Sequence, residues 1–208
     1  ENIETDTAYD WQYALTINEK TNAKKLITEI ASASPYIPRF NNRGEFKFDV
    51  IKDQYDATHM DGAILIEESD CIKWSYSKTK IEDVHTRIEL QYEFDFYGLK
   101  DDHSESTLVI DSEQGKYIRT QETAINYAKW MLMWHCNQHL KIQKLKLPLK
   151  YLEIETGSLL KFHNILGGVY PYGIDYRAND VVNHQTVFKN FLITSTNKTL
   201  EWVQIECV

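Results

Sequence analysis

The sequence has few cysteines, no long apolar run and no excess of basic residues. Its three cysteines, Cys71, Cys136 and Cys207, are widely spaced among 208 residues and form no C-x-x-C pair. An odd and scattered set of this kind argues against a disulfide framework and against a structural zinc site. We therefore expect three free thiols that serve as small apolar residues.

Two further absences exclude kinds of partner. No stretch of about 18 apolar residues exists that could span a bilayer, so we expect a soluble chain without membrane insertion. Acidic residues outnumber basic ones by 31 to 23, which gives a formal charge of −8. This charge would repel a phosphate backbone, and nucleic acid is therefore not an expected partner.

Two segments have the apolar periodicity of a helix. The first runs from about residue 19 to residue 32, and its apolar residues share one face. The second begins near Thr120, whose hydroxyl can cap it, and runs to about residue 139. Tyr127, Trp130 and Trp134 give this second helix an aromatic stripe in addition to its alanine stripe. A helix that is apolar nearly all round must be enclosed by its own domain or by a neighbouring subunit. We predict that these three aromatic residues form an interface with a neighbouring subunit.

Alternation of apolar and polar residues predicts strands over most of the remaining chain. The longest run, residues 84–97, keeps a period of two throughout and exceeds the usual five or six residues of a strand. The other predicted strands are residues 36–40, 46–50, 72–76, 108–110, 145–149, 159–162 and 169–176, with a terminal hairpin formed by residues 187–194 and 200–207.

These elements predict an α+β fold that is mostly antiparallel β, with two small β-barrel-like modules and two main α-helices. The polar stretch 100–105 is the best place to divide the chain. The division gives an N-terminal α+β module at residues 1–100 and a C-terminal module at residues 101–208, which holds a helix and a β-barrel-like sheet.

One order of elements in the second half is informative. The helix 123–139 leads into the strand 145–149, the stretch L-E-I-E-T-G-S-L-L-K-F at residues 152–162 and a last hairpin that ends in W-V-Q-I-E. This order resembles the tail-hub and tail-tip structural proteins of bacteriophages, in which an L-x-x-G-D-L turn precedes a hairpin that closes a small barrel. Ser158 stands where that family usually has aspartate. The first half adds P-Y-I-P-R-F at residues 35–40 and G-E-F-K-F at residues 44–48.

The resemblance implies a non-enzymatic structural component of a phage or prophage tail hub or baseplate. Such a protein would form a ring of identical copies, bind other tail proteins and reside in the virion tail after assembly in the host cytoplasm. The alternative is a carbohydrate-binding or glycoside-hydrolysing tail module. A sugar site would line up aromatic rings beside acids in a surface groove, whereas an assembly protein would cover its aromatic rings with neighbouring subunits.

Two residue patterns resemble chemical sites. His135 and His139 have the i, i+4 spacing of the H-E-x-x-H zinc motif, but the glutamate of that motif is missing. Glu67, Glu68 and Asp70 could supply glycosidase acids, which need two carboxyls about 5 to 10 Å apart and one raised pKa. Adjacent acids are expected by chance in a chain with 31 of them. We therefore predict no catalytic residue, no metal site and no cofactor.

Overall fold

The structure is a computed structural model, and it describes residues 11–15, 17, 19–52, 55–92, 107–110, 115–162, 180–182, 185–187 and 189–208. Over these residues the chain is an α+β protein whose sheets are mostly antiparallel. One sheet curls into a half-barrel. The predicted fold class is therefore confirmed.

The bounds of the described elements are as follows. The α-helices are α1 Ala23–Ser32, α2 Ala57–Asp61 and α3 Gln121–His135. The strands are β1 Tyr36–Phe40, β2 Phe46–Val50, β3 Ile64–Ile66, β4 Lys73–Lys78, β5 Arg87–Leu90, β6 Thr107–Ile110, β7 Leu140–Leu147, β8 Leu159–Phe162, β9 Asp180–Val182, β10 Gln185–Val187, β11 Phe191–Lys198 and β12 Val203–Cys207.

The chain divides into two compact units, and each unit draws on three stretches of sequence. Unit 1 comprises Glu1–Arg39, Phe46–Asp53 and Thr79–Gln138, and unit 2 comprises Phe40–Glu45, Gln54–Lys78 and His139–Val208. The predicted division at residue 100 falls outside the described residues. The units interleave along the chain because β3 and β4, which precede residue 100, pair with β8 and β7, which follow it.

Unit 1 holds α1, α3 and the parallel pair β5 and β6. Helix α1 begins four residues later than predicted, because the side chain of Asn22 caps it by accepting a hydrogen bond of 3.2 Å from the Lys25 N–H. Strand β5 covers only part of the predicted strand 84–97, and residues 93–97 lie outside the described residues. The buried core of the unit consists of Ala33, Ile110, Ile118, Ala124 and Tyr127.

The predicted hairpin of β1 and β2 is confirmed. The Asn41 N–H donates to the Glu45 carbonyl at 2.9 Å, and the Gly44 N–H donates to the Asn41 carbonyl at 2.9 Å. Gly44 has a φ of +78°, a left-handed conformation that costs glycine little because it has no Cβ.

Unit 2 is built on a six-stranded sheet in the order β3-β8-β11-β12-β7-β4. All its pairings are antiparallel except that of β3 with β8. Every second residue of β12 is buried, and β7 buries Leu140, Ile142, Leu145 and Leu147 on the same face. The core of unit 2 is therefore the inner face of this sheet.

The terminal hairpin is present, but its turn lies later than predicted. Strand β11 extends to Lys198, and the turn is closed by the Thr199 N–H, which donates to the Trp202 carbonyl at 3.0 Å. The Thr199 hydroxyl accepts a hydrogen bond of 3.1 Å from the Trp202 N–H. This side-chain bond supports the turn locally, in the way usual for threonine.

Candidate functional site

Helix α3 carries the predicted interface residues, and local sequence determines where it begins. Thr120 is the N-cap, and its hydroxyl accepts a hydrogen bond of 3.3 Å from the Thr123 N–H. Glu122 lies in the first turn, where its negative charge suits the helix dipole, and His135 lies in the last turn. The helix ends at His135, four residues before the predicted end.

The first half of α3 packs into the core of unit 1. Thr123, Ala124, Asn126 and Tyr127 are buried, and Tyr127 is only 1% exposed. The Tyr127 hydroxyl donates a 2.7 Å hydrogen bond to the Ser32 carbonyl. Burial raises the pKa of Tyr127 to about 12, because the ionised phenol would lose its hydration.

Tyr127, Trp130 and Trp134 form one continuous aromatic stack, as their spacing along the helix allows. The Tyr127 and Trp130 ring centres are 6.1 Å apart with an angle of 24° between the rings, and those of Trp130 and Trp134 are 6.3 Å apart with an angle of 20°. Tyr127 lies inside the unit and cannot touch a partner. Trp130 and Trp134 are half-buried, and for these two residues the interface stays a prediction.

The second half of α3 differs from the first in exposure. From Ala128 to His135 no residue is buried, Lys129 is exposed and the others are half-buried. The half-buried residues include Trp130, Met131, Leu132, Met133 and Trp134. The Trp130 indole N–H is buried and makes no hydrogen bond to the residues that the structure describes. This part of the helix therefore leaves apolar side chains partly in contact with water.

Of the two histidines with the spacing of zinc ligands, His135 is the last residue of α3, and His139 lies beyond the end of the helix. The His85 N–H donates to the His135 carbonyl at 2.9 Å, and the rings of these two histidines are 5.9 Å apart. Within the described ranges, no three His, Cys, Asp or Glu side chains come together as metal ligands.

The acids considered for glycoside hydrolysis lie around a 3-10 turn, Glu68–Asp70, in unit 2. Lys150 Nζ lies 2.6 Å from Asp70 Oδ2, and the Tyr151 hydroxyl donates to the same oxygen at 2.6 Å. The hydrogen bond from Lys150, followed by that from Tyr151, lowers the pKa of Asp70. The general acid of a glycosidase needs a raised pKa, so the lowered pKa of Asp70 does not suit this carboxyl for that role.

The edge strand β4 is a further candidate surface, which no motif in the sequence indicates. Ile72, Trp74 and Tyr76 are 61%, 37% and 44% exposed. Their alternation was visible in the sequence. The lysines of the neighbouring strand β7 could be placed beside them only once the register between β4 and β7 was available.

No protein-family model matches the chain, and no curated protein sequence matches it. Among the described residues, no helix has the length and apolar character needed to cross a membrane.

Proposed function

We propose that this chain is a non-enzymatic subunit of a larger protein assembly and that it serves in a phage tail hub or baseplate. The observation that carries the assembly function is the half-buried second half of α3. Trp130, Met133 and Trp134 leave apolar surface at the end of a helix whose first half buries Thr123, Ala124, Asn126 and Tyr127 in the core.

Partial exposure of these residue types favours a protein partner. Tryptophan and methionine are enriched in the buried centres of interfaces, and single tryptophans often contribute much of the binding energy. The stack also restricts the Trp130 and Trp134 rings before binding, since each ring contacts the next. Such a preorganised aromatic surface loses little conformational entropy when it is covered.

The tail-hub part of the proposal rests on the sequence resemblance. The order α3, β7, a turn at Gly157, β8 and the hairpin of β11 and β12 agrees with the order that the resemblance implies. Gly157 has a φ of +86°, as a tight turn before β8 requires. A ring of identical copies, in contact with other tail proteins, is the assembly proposed.

Sedimentation velocity over a range of protein concentrations tests the assembly function. The wild-type chain should form a discrete oligomer, and Trp134→Ala should weaken its association by about 30-fold, the loss typical of an interface hot spot. Ile125→Ala is the matched control, because Ile125 is an exposed apolar residue of the same helix. It should leave association unchanged.

Two results would contradict the proposal. One is a wild-type chain that stays monomeric at every concentration. The other is a chain that binds a glycan and loses that binding when Trp134 is replaced, which would favour the carbohydrate-binding alternative. Circular dichroism of each variant checks that the fold is retained.

A further inference from the structure

Strand β4 is an edge strand of the unit 2 sheet. It is the last strand in the order β3-β8-β11-β12-β7-β4, and β7 is its neighbour. In the part of the chain that the structure describes, no strand pairs with its other side. An edge of this kind can accept an extended segment from another chain, which then continues the sheet through backbone hydrogen bonds.

One face of this edge is apolar. Ile72, Trp74 and Tyr76 alternate along the chain and so point to the same side of the sheet. Tyr76 pairs with Ile142, which is buried in the core of unit 2, so this side is a continuation of the inner face. Ile72 is 61% exposed, so the apolar face is open to solvent at the edge of the sheet.

The opposite face of the same edge is basic. Lys73 pairs with Lys146, and Ser77 pairs with Lys141. Lys144 lies at the register shift of β7 with a φ of 54°, and Lys73, Lys141 and Lys144 are exposed. These four lysines stand on two adjacent strands of a chain whose formal charge is −8.

The neighbours of the lysines do not neutralise this face. Lys146 Nζ lies 3.8 Å from the centre of the Trp202 ring. On β12 the outward residues are Gln204 and Glu206, so that strand supplies a single carboxylate. Among the described residues, no carboxylate lies within ion-pair distance of any of the four lysines.

Protection of the edge against uncontrolled strand pairing does not explain all four lysines or the apolar face. Lysine on an edge strand hinders uncontrolled pairing between sheets, and Lys73 suits that role. Lys141, Lys144 and Lys146 belong to the next strand inward, which already has partners on both sides. Ile72 and Trp74 moreover leave the other face of the edge apolar.

We infer that β4 binds an extended segment of a partner protein in which acidic residues alternate with apolar ones. The period of two places the apolar side chains beside Ile72, Trp74 and Tyr76, and it places the carboxylates over the lysine face. The inference deepens the proposed assembly function and rests on it, since it names the chemistry of one partner. It uses unit 2, whereas the aromatic stack lies in unit 1.

Fluorescence anisotropy with a labelled peptide of alternating glutamate and valine, about seven residues long, tests this inference on the full chain. The peptide should bind, and binding should weaken as salt is added. A peptide with lysine in place of glutamate should not bind. A fully N-methylated glutamate–valine peptide should not bind either, because it keeps the side chains but cannot donate backbone hydrogen bonds.

Two sets of variants test the lysine face and the apolar face of the β4 edge independently. Reversing both charges in Lys141→Glu/Lys144→Glu should weaken binding about tenfold or more. Lys20→Glu/Lys24→Glu is the matched control, because it makes the same change in net charge at exposed positions of unit 1. Trp74→Ala should weaken binding through loss of apolar contact.

The outcomes distinguish this inference from the assembly function of α3. Absence of binding, equal binding of the lysine or N-methylated peptide, or binding that Lys141→Glu/Lys144→Glu leaves unchanged would overturn it. Trp134→Ala should not alter peptide binding. If the chain self-associates through α3 while the glutamate–valine peptide fails to bind, the β4 inference alone is refuted.

Discussion

Replacing Tyr127 with phenylalanine removes one hydroxyl from the core of unit 1 and should change both the stability and its pH dependence. The hydroxyl donates a 2.7 Å hydrogen bond to the Ser32 carbonyl, and the ring is 1% exposed. Loss of a neutral hydrogen bond of this kind lowers the free energy of unfolding by about 1 kcal/mol at neutral pH. The ring itself stays, so packing is nearly conserved.

At alkaline pH the sign of the effect should reverse. The pKa of Tyr127 is raised from 10 to about 12 in the folded chain, so the phenol ionises first in the unfolded state. The contribution of the protonated phenol to the free energy of unfolding is therefore fully present below about pH 10, and it falls by about 2 kcal/mol between about pH 10 and 12. Tyr127→Phe lacks this loss, and the two stability curves should cross near pH 11.

Urea unfolding followed by circular dichroism at intervals between neutral pH and about pH 11 measures both effects. Tyr76→Phe is the matched control, because the Tyr76 ring is 44% exposed. It should change the stability at neutral pH much less. A constant difference between wild type and Tyr127→Phe at every pH would refute the reasoning, since it would mean that the buried phenol ionises equally in both states.

Two other predictions concern unit 2. Because Lys150 and Tyr151 lower the pKa of Asp70, the stability that this carboxylate contributes should be present above about pH 4 and lost as the pH falls through the folded pKa. In Asp70→Asn, the free energy of unfolding measured with urea should therefore fall less at acid pH than in the wild type. An equal fall in both proteins would contradict the ion pair. Burial raises the pKa of the Cys207 thiol to about 12, so iodoacetamide at pH 8 should label Cys207 only after the chain is unfolded, as mass spectrometry of the digested protein would show; rapid labelling of folded chain at Cys207 would be inconsistent with its 2% exposure.

Much of the local structure could be predicted because its causes are local. The cap at Thr120, the hairpin of β1 and β2 and the strand character around Trp74 all follow from residue types at short spacing. The three cysteines were expected to be free thiols, and they are free. The spacing of Tyr127, Trp130 and Trp134 likewise placed them on one helix, where they stack.

The candidate sites depended on contacts between distant parts of the chain. The sequence of α3 is apolar on several sides, and only packing against Ala33, Ile110 and Ile118 decided that Tyr127 is sealed while Trp130 and Trp134 remain half-buried. The neighbours of β4 likewise could not be predicted from the sequence of that strand. A strand's own pattern says which side chains share a face, but not which strand lies beside it.

The sequence by itself therefore determined the class of the fold, the helix carrying the aromatic stack and the acidic character of the chain. The tertiary structure alone decided that β3 pairs with β8 and β4 with β7, which interleaves the two units and brings Lys141 and Lys146 beside β4. The physical reason is that helix capping and period-two alternation involve neighbours in sequence. Strand order and register instead depend on which apolar faces, distant in sequence, pack against each other and are buried from water.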